Sequence, residues 1–163
     1  MHKILRYSLL ILGLQFGVWA QQTLVHTNKL ELSKDIPTLA IQTPDLNTLA
    51  AEDELRDKQG VLYRIGVALP THLTPQNAGY WTTHADGSRT WQIVVAAPNS
   101  QALSYLFEKF ILYGGSSLRI QNMDGQDAHP ILTSADVESH LMQNAALCGG
   151  SKHLLTLHEP AYT

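Results

Sequence analysis

The feature that most constrains this fold is a change in the spacing of apolar residues at Gly60. From there on, apolar and β-branched residues recur at about every second position, which is the period of a β-strand. Six segments have this pattern: VLYRIGVAL (61–69), YWTT (80–83), RTWQIVVAA (89–97), SYLFEKFIL (104–112), SLRIQNM (117–123) and KHLLTLHE (152–159). The pair Asp86-Gly87 between the second and third segments predicts a hairpin, because Gly adopts positive φ without steric cost.

About six strands separated by turn signals predict a mainly β fold, an antiparallel and jelly-roll-like β-sandwich over residues 59–163. The chain has 163 residues, which is enough for one hydrophobic core. No strand-helix-strand alternation is present, so we do not expect a parallel α/β sheet. Residues 126–151 have no clear period, and no element is predicted there.

The preceding residues, 21–58, have a mixed pattern and form an N-terminal arm. Residues 23–33 (TLVHTNKLELS) have the composition of an edge strand. Thr43 followed by Pro44 is typical of an N-cap and a first helical position, and the apolar residues after it have helical spacing. The sequence therefore predicts one short N-terminal helix near residues 44–58.

The first 20 residues have the pattern of a secretory signal peptide. Lys3 and Arg6 precede an apolar run, and Val18 and Ala20 occupy the −3 and −1 positions of a cleavage site before Gln21. The apolar run is about 12 residues long, short of the roughly 20 that cross a bilayer, so a membrane anchor is the weaker alternative. We expect a secreted or periplasmic protein without a membrane anchor after cleavage.

Charge and cysteine content argue against a nucleic-acid-binding protein and against a protein held together by disulfides. The net charge is −3 and the basic residues are spread singly along the chain, so no nucleic-acid partner is expected. The single cysteine, Cys148, has no disulfide partner in the chain, and we interpret it as a small buried residue and not a nucleophile.

Motifs for catalysis, metals and cofactors are missing from the sequence. The glycine-rich stretches 114–116 and 148–151 lack the lysine and spacing of a phosphate-binding loop, so they are interpreted as loops. His153 and His158 are five residues apart, which places them on opposite faces of a strand and disfavours a metal site. No GxSxG motif is present either. We therefore predict no catalytic residues, no metal and no cofactor, although sequence alone does not exclude a Ser-His-Asp triad.

Two groups of side chains have competing interpretations. The acids of the predicted helix resemble a paired-carboxylate site, but a solvated helix face with a Glu54 to Lys58 ion pair is favoured. The aromatic residues of the strand segments either line a sugar-binding face or fill the core, and the core is favoured. They are Tyr80, Trp81, Trp91, Tyr105, Phe107, Phe110 and Tyr113. Because Trp81 and Trp91 lie in adjacent segments, at least one is predicted to be deeply buried.

Residues 63–122 resemble the N-terminal, non-catalytic region of secreted bacterial trypsin-like serine proteases of the lysyl-endopeptidase type. The resemblance is carried by short motifs in a fixed order. These are A-L-P (Ala68, Leu69, Pro70), G-x-W-T (Gly79, Trp81, Thr82), a D-G turn before a tryptophan strand (Asp86, Gly87, Trp91), an aliphatic-aromatic strand, and G-(x)-L-x-I (Gly115, Leu118, Ile120). The resemblance implies a propeptide that is removed on maturation and that assists folding of the protease or keeps it inactive.

Residues 1–163 contain no counterpart of the catalytic domain of that family, so no catalytic residue carries over. Two interpretations stay open: a truncated protease precursor, or a stand-alone copy of the propeptide module. We expect an exported non-catalytic β-sandwich whose partner is a trypsin-like serine protease domain. The alternatives are a carbohydrate- or surface-binding module and a small exported hydrolase.

Overall fold

The computed structural model describes residues 35–137 and 143–161. Within them the chain forms two β-sheets and one α-helix, so the protein is mainly β, as predicted. The elements in chain order are β1 (Thr38–Ala40), α1 (Leu46–Lys58), β2 (Tyr80–Thr83), β3 (Arg89–Ala96), β4 (Ala102–Phe107), β5 (Ser117–Asn122), β6 (Leu132–Thr133), β7 (Gln143–Gly149) and β8 (Lys152–Glu159), with a 3₁₀ turn at Ser134–Asp136.

The larger sheet has the order β1-β3-β8-β5-β6, with β8 at its centre. β3 pairs with β8 over its whole length, and its opposite edge is shared by β2 at residues 89–92 and β1 at residues 94–96. The pairing of β1 with β3 is parallel, and every other pair in the described sheets is antiparallel. The smaller sheet consists of β4 and β7.

The predicted hairpin at Asp86-Gly87 is confirmed. It joins β2 to β3, with Trp81 opposite Trp91, and Gly87 has φ of +84°. The Oδ1 atom of Asp86 accepts hydrogen bonds from the Ser88 main-chain N–H at 2.9 Å and from the Ser88 hydroxyl at 2.7 Å. These bonds hold the turn and keep the pKa of Asp86 below its usual range.

The core lies on one face of the larger sheet, because alternate residues of its strands point to the same side. Trp91, Leu157 and Leu118 are opposite one another on β3, β8 and β5, and the next row holds Ile93, Leu155 and Ile120. Trp91 is 3% exposed, so the prediction of at least one buried tryptophan is confirmed. Residues of the smaller sheet and its loops pack against the same cluster: Tyr105, Phe107, Phe110 and Ala145.

The helix begins two residues later than predicted. Asp45, not Thr43, is the N-cap, and its carboxylate accepts a hydrogen bond of 2.9 Å from the N–H of Thr48. The Thr43 hydroxyl instead donates to the carbonyl oxygen of Pro98 at 3.0 Å. The carboxylate of Asp45 accepts a hydrogen bond from a free N–H group of the first turn. No cap from Thr43 is therefore needed.

Two predicted strands are wrong in whole or in part. Residues 61–69 have no regular secondary structure, because this segment forms no main-chain pairing with any described strand. The segment 104–112 forms a strand only to Phe107, and β4 begins earlier, at Ala102. Phe110 is 4% exposed and packs in the core, so the chain has turned by that point and no strand continues to 112.

The unassigned stretch 126–151 contains β6, the 3₁₀ turn and β7, which the sequence did not predict. The parallel pair β1–β3 was also not expected. The predicted edge strand at 23–33 and the signal peptide at 1–20 lie outside the described residues.

Candidate functional site

A hydrogen-bonded group of buried polar side chains connects the two sheets. His153 of β8 is fully buried, and its Nδ1 lies 3.1 Å from the Tyr105 hydroxyl of β4. Its Nε2 lies 3.0 Å from the carbonyl oxygen of Gly149. Because a carbonyl oxygen only accepts, Nε2 carries the proton and Nδ1 accepts the hydrogen bond from Tyr105. Burial raises the pKa of Tyr105, so its hydroxyl keeps the proton that it donates.

Cys148 lies next to this group and is 2% exposed. Burial raises the pKa of its thiol, and the nearby carboxylate of Asp127 raises it further. A nucleophilic cysteine needs the opposite shift, towards the thiolate. The prediction of Cys148 as a small buried residue is confirmed.

Asp127 is exposed, and its carboxylate accepts a hydrogen bond of 2.6 Å from the main-chain N–H of Gly149. This bond is the largest reason why the pKa of Asp127 lies below its usual range. It ties the turn after β5 to the end of β7. The Asn122 side chain closes the same turn, since its Oδ1 accepts from the main-chain N–H groups of Gln126 and Asp127.

Cys148, His153 and Asp127 have the residue types of a cysteine-based triad, but their geometry is different. Both ring nitrogens of His153 are engaged, by Tyr105 and by Gly149, so neither is available to take a proton from the thiol. The arrangement therefore acts as a structural link between the sheets. Tyr105 and His153 are 48 positions apart in the sequence, and no sequence signal predicted this pair.

The two histidines of β8 lie on opposite faces of the strand, as the sequence analysis expected, whereas the glycine stretch 148–151 is a loop only in its second half. His153 faces the core, and His158 is on the opposite face of β8 beside Thr90 and Ser117. In residues 35–137 and 143–161, no group of three or more His, Cys, Asp or Glu side chains is close enough to hold a metal ion. Residues 114–116 form a turn before β5, and residues 148–151 contain the end of β7 and the turn to β8.

The acids of α1 are exposed except for the half-buried Asp53, and the predicted ion pair of the helix is confirmed. The ammonium of Lys58 lies 2.8 Å from Glu54. Two other acids of the helix bind Arg64, whose Nη2 is 2.7 Å from Glu52 and whose Nε is 2.9 Å from Asp53. The hydrogen bond to Glu52 is the largest reason why the pKa of Arg64 is raised. Glu52, Asp53 and Glu54 are thus all engaged in ion pairs.

Most of the seven aromatic residues fill or border the core, as favoured from the sequence. Trp91 and Phe110 are buried, and Tyr105 and Phe107 are half-buried in the same cluster. Trp81 is half-buried, with its Nε1 donating to the Pro75 carbonyl at 3.0 Å and the Arg89 guanidinium 4.7 Å from its ring centre. The two exposed members of the seven are Tyr80 and Tyr113.

The segment 61–69 is the most apolar exposed stretch among the described residues. Leu62 is 88% exposed, Tyr63 77% and Ile65 100%. No main-chain N–H from residue 62 to residue 73 donates to a main-chain carbonyl of the described chain. Polar contacts tie the segment to α1: Arg64 binds two acids of the helix, the Arg56 guanidinium donates to the Leu62 carbonyl at 3.1 Å, and the Val61 N–H donates to the Arg56 carbonyl at 3.0 Å.

The helix beside this segment also stays outside the core. None of its 13 residues is buried, and Leu46 and Leu55 are each 56% exposed. The described part of the chain contains no helix with the length and apolar character needed to cross a membrane. No known family model matches the chain, and no solved structure matches it.

Proposed function

We propose that this chain is an exported, non-catalytic domain that binds a trypsin-like serine protease domain, as the propeptide of a secreted endopeptidase does. The proposal starts from the resemblance of residues 63–122 to such regions. It includes an antiparallel β-sandwich architecture, which is supported by the packing of Tyr105 and Phe107 of β4 against Trp91 and Ile93 of β3.

The observation that carries the proposal is the segment 61–69. Its sequence, VLYRIGVAL, alternates large apolar residues in the manner of a strand, yet it pairs with no described strand. Such a segment gains main-chain hydrogen bonds and apolar burial when it is laid along a sheet edge of another protein. Trypsin-like domains consist of β-barrels, and the resemblance therefore implies a partner with strands of the required kind.

The charges of the segment fit the same role. Its one charged side chain, Arg64, is neutralised by Glu52 and Asp53 of α1, so the outward-facing surface around Leu62 and Ile65 is apolar and uncharged. Large exposed apolar patches on a soluble protein mark sites of protein association. An unpaired charged group on this surface would lose its water on binding, which costs free energy. The segment has no such group, because its one charge, on Arg64, is paired.

The buried polar group supports a non-catalytic role. The thiol of Cys148 is buried with a raised pKa, and His153 is held between Tyr105 and Gly149. A reactive thiol and an available base are both required for nucleophilic catalysis. In this protein Cys148 and His153 are buried and contribute to the packing between the two sheets.

Co-refolding tests the proposal. A trypsin-like protease domain encoded in the same genome is denatured and refolded with and without this protein, and recovered active sites are titrated. We expect a higher yield with the wild-type protein, or inhibition of the folded protease, and a complex on a sizing column. Leu62→Asp and Ile65→Asp should remove these effects, because a carboxylate in the apolar surface must be dehydrated on binding.

Leu106→Asp is the matched control, since Leu106 is 63% exposed but belongs to β4 and not to segment 61–69. It should behave like the wild type. Absence of any gain in yield, of inhibition and of complex would reject the proposal. Retention of an insoluble glycan in the same preparation would favour the carbohydrate-binding alternative.

Export is part of the same proposal, and it depends on residues outside the described ones. If residues 1–20 are a cleaved signal peptide, N-terminal sequencing of the secreted protein gives Gln21 as the first residue. Recovery of the uncleaved chain in the membrane fraction would contradict it.

A further inference from the structure

A cleft opens between the core face of the larger sheet and the chain that follows β4. It has a volume of about 410 Å³, which lies in the range of small-molecule sites. Its floor consists of Trp91, Leu118 and Leu157 from β3, β5 and β8. Its outer wall is the loop of residues 109–113 together with residues 73–76.

The walls of this cleft are mostly apolar side chains. Phe107 and Phe110 lie 5.4 Å apart between ring centres and face the sheet residues across the cleft. The indole N–H of Trp91 is already bonded to the Ala78 carbonyl at 2.7 Å, so Trp91 offers its ring and not a donor. Surfaces of this kind bind hydrocarbon or aromatic bodies through apolar burial.

One polar group in the cleft has no partner. Ser116 is 4% exposed, and its Oγ forms no hydrogen bond within the described residues. Its main-chain N–H is bonded to the Tyr113 carbonyl at 2.9 Å, so the backbone at this position is satisfied and only the hydroxyl is left. Buried hydroxyls are nearly always hydrogen-bonded in native proteins, and an exception points to a missing partner.

The charges around the cleft define the ligand further. Glu159 lines the cleft, but the Glu159 carboxylate is already bound by the Arg89 guanidinium. The distance from Nε of Arg89 to Oε2 of Glu159 is 3.1 Å. Lys109 is exposed at the rim and therefore remains in water. An ionic ligand would have to be dehydrated without a buried counter-charge, which is unfavourable.

We propose that this cleft binds a small uncharged organic molecule with an alicyclic or aromatic body and one hydroxyl or carbonyl group, which hydrogen-bonds to the Oγ of Ser116. The apolar body lies on Trp91, Leu118 and Phe110. The inference is independent of the proposed protease partner, because it rests on the cleft and not on segment 61–69.

Calorimetric titration of the whole protein with two probes tests this inference. Cyclohexylmethanol and methylcyclohexane share the ring and differ in the hydroxyl. We expect saturable one-to-one binding of the alcohol, about tenfold tighter than binding of the hydrocarbon, a ratio worth about 1.4 kcal/mol. Ser116→Ala should make the two probes bind equally.

A variant that fills the cleft provides the second test. Leu112 is half-buried in the outer wall, and Leu112→Trp should abolish binding of both probes. Leu147→Trp is the control, because Leu147 lines a different cleft beside Pro98 and Leu103 and should leave binding unchanged. If Leu112→Trp fails to fold by circular dichroism, the Ser116→Ala comparison decides alone. Two results would overturn the proposal. One is the absence of saturable binding, which would mean that water satisfies Ser116. The other is equal affinity of the wild type for both probes.

Discussion

The indole ring of Trp91 lies directly against the α-carbon of Gly79. A Cβ atom built on Gly79 would be 2.9 Å from Cζ2 of that ring and closer still to Nε1 and Cε2. Gly79 has φ of +91°, which L-residues with a side chain rarely adopt. The contact positions the ring so that Nε1 donates to the Ala78 carbonyl at 2.7 Å. One glycine thus fixes the largest side chain of the core.

Gly79→Ala should be strongly destabilising for two reasons. The added methyl group displaces a buried indole, and the positive φ becomes strained. Overpacking costs about 1–3 kcal/mol and a left-handed residue about 1–2 kcal/mol, so we expect a loss of roughly 2–5 kcal/mol in the free energy of unfolding. Urea denaturation followed by tryptophan fluorescence measures it.

Gly66→Ala is the control for that substitution. No heavy atom lies within 4 Å of a Cβ built on Gly66, and its φ is not positive. Its free energy of unfolding should stay within about 0.5 kcal/mol of the wild type, as for other open surface positions. Similar stability of the Gly79 and Gly66 variants would contradict the packing of Trp91 described above.

Tyr105→Phe should destabilise the protein by removing a single hydrogen bond. The phenylalanine ring keeps the contact with Phe107 but leaves Nδ1 of the fully buried His153 without a donor. An unsatisfied buried acceptor costs about 1–3 kcal/mol. Thermal and urea unfolding test this, with Tyr113→Phe as the control because Tyr113 is 67% exposed. Equal effects of the two substitutions would mean that the Tyr105 hydroxyl contributes nothing to stability.

The strands β2, β3, β5 and β8 could be predicted from the sequence because their side chains alternate and clear turn residues bound them. The Asp86-Gly87 hairpin is the strongest of these signals, since its side-chain hydrogen bonds are all local. Strand order could not be predicted in the same way. The central position of β8 depends on pairings with Trp91 and Leu118, which are distant in the chain.

Segment 61–69 shows why strand propensity alone is insufficient. The segment has the residues of a strand, but strand structure requires main-chain pairing with a second strand, and no described strand pairs with it. β7 is the reverse case. Its sequence, QNAALCG, has little alternation, and pairing with β4 decides its structure. The hydrogen bond between Tyr105 of β4 and His153 of β8 joins residues 48 positions apart, and no sequence signal predicted it either.

Asp127 should make the protein less stable in acid. Its pKa is lowered in the folded state, chiefly by the hydrogen bond from the Gly149 N–H. The stabilisation is therefore complete above the unfolded-state pKa of about 3.9, and it is lost as the pH falls through the lower folded-state value. Asp127→Asn keeps an acceptor but no charge, so its free energy of unfolding should depend less on pH below about pH 5.

Urea unfolding at a series of pH values compares the two proteins. Asp124→Asn is the matched control, because Asp124 is exposed in the same turn. This substitution removes one carboxylate from the turn and leaves the hydrogen bond between Asp127 and Gly149 in place. Parallel profiles of the wild type and Asp127→Asn would show that the bond to Gly149 does not favour the charged carboxylate.

The ion pairs of Arg64 with Glu52 and Asp53 help to hold segment 61–69 beside α1. Arg64→Met removes the ion pairs with Glu52 and Asp53 but leaves the core untouched, so the free energy of unfolding should hardly change. The segment itself should become more accessible, and native-state cleavage by chymotrypsin after Tyr63 should be faster. Salt should have a smaller effect on the wild type, because the Arg64 side chain is only 19% exposed and partly buried ion pairs are screened less than exposed ones. Lys58→Met breaks only the pair with Glu54 within the helix and should leave the cleavage rate unchanged. If Arg64→Met is cleaved no faster than Lys58→Met, the bond from Arg56 to the Leu62 carbonyl is sufficient to hold the segment in place.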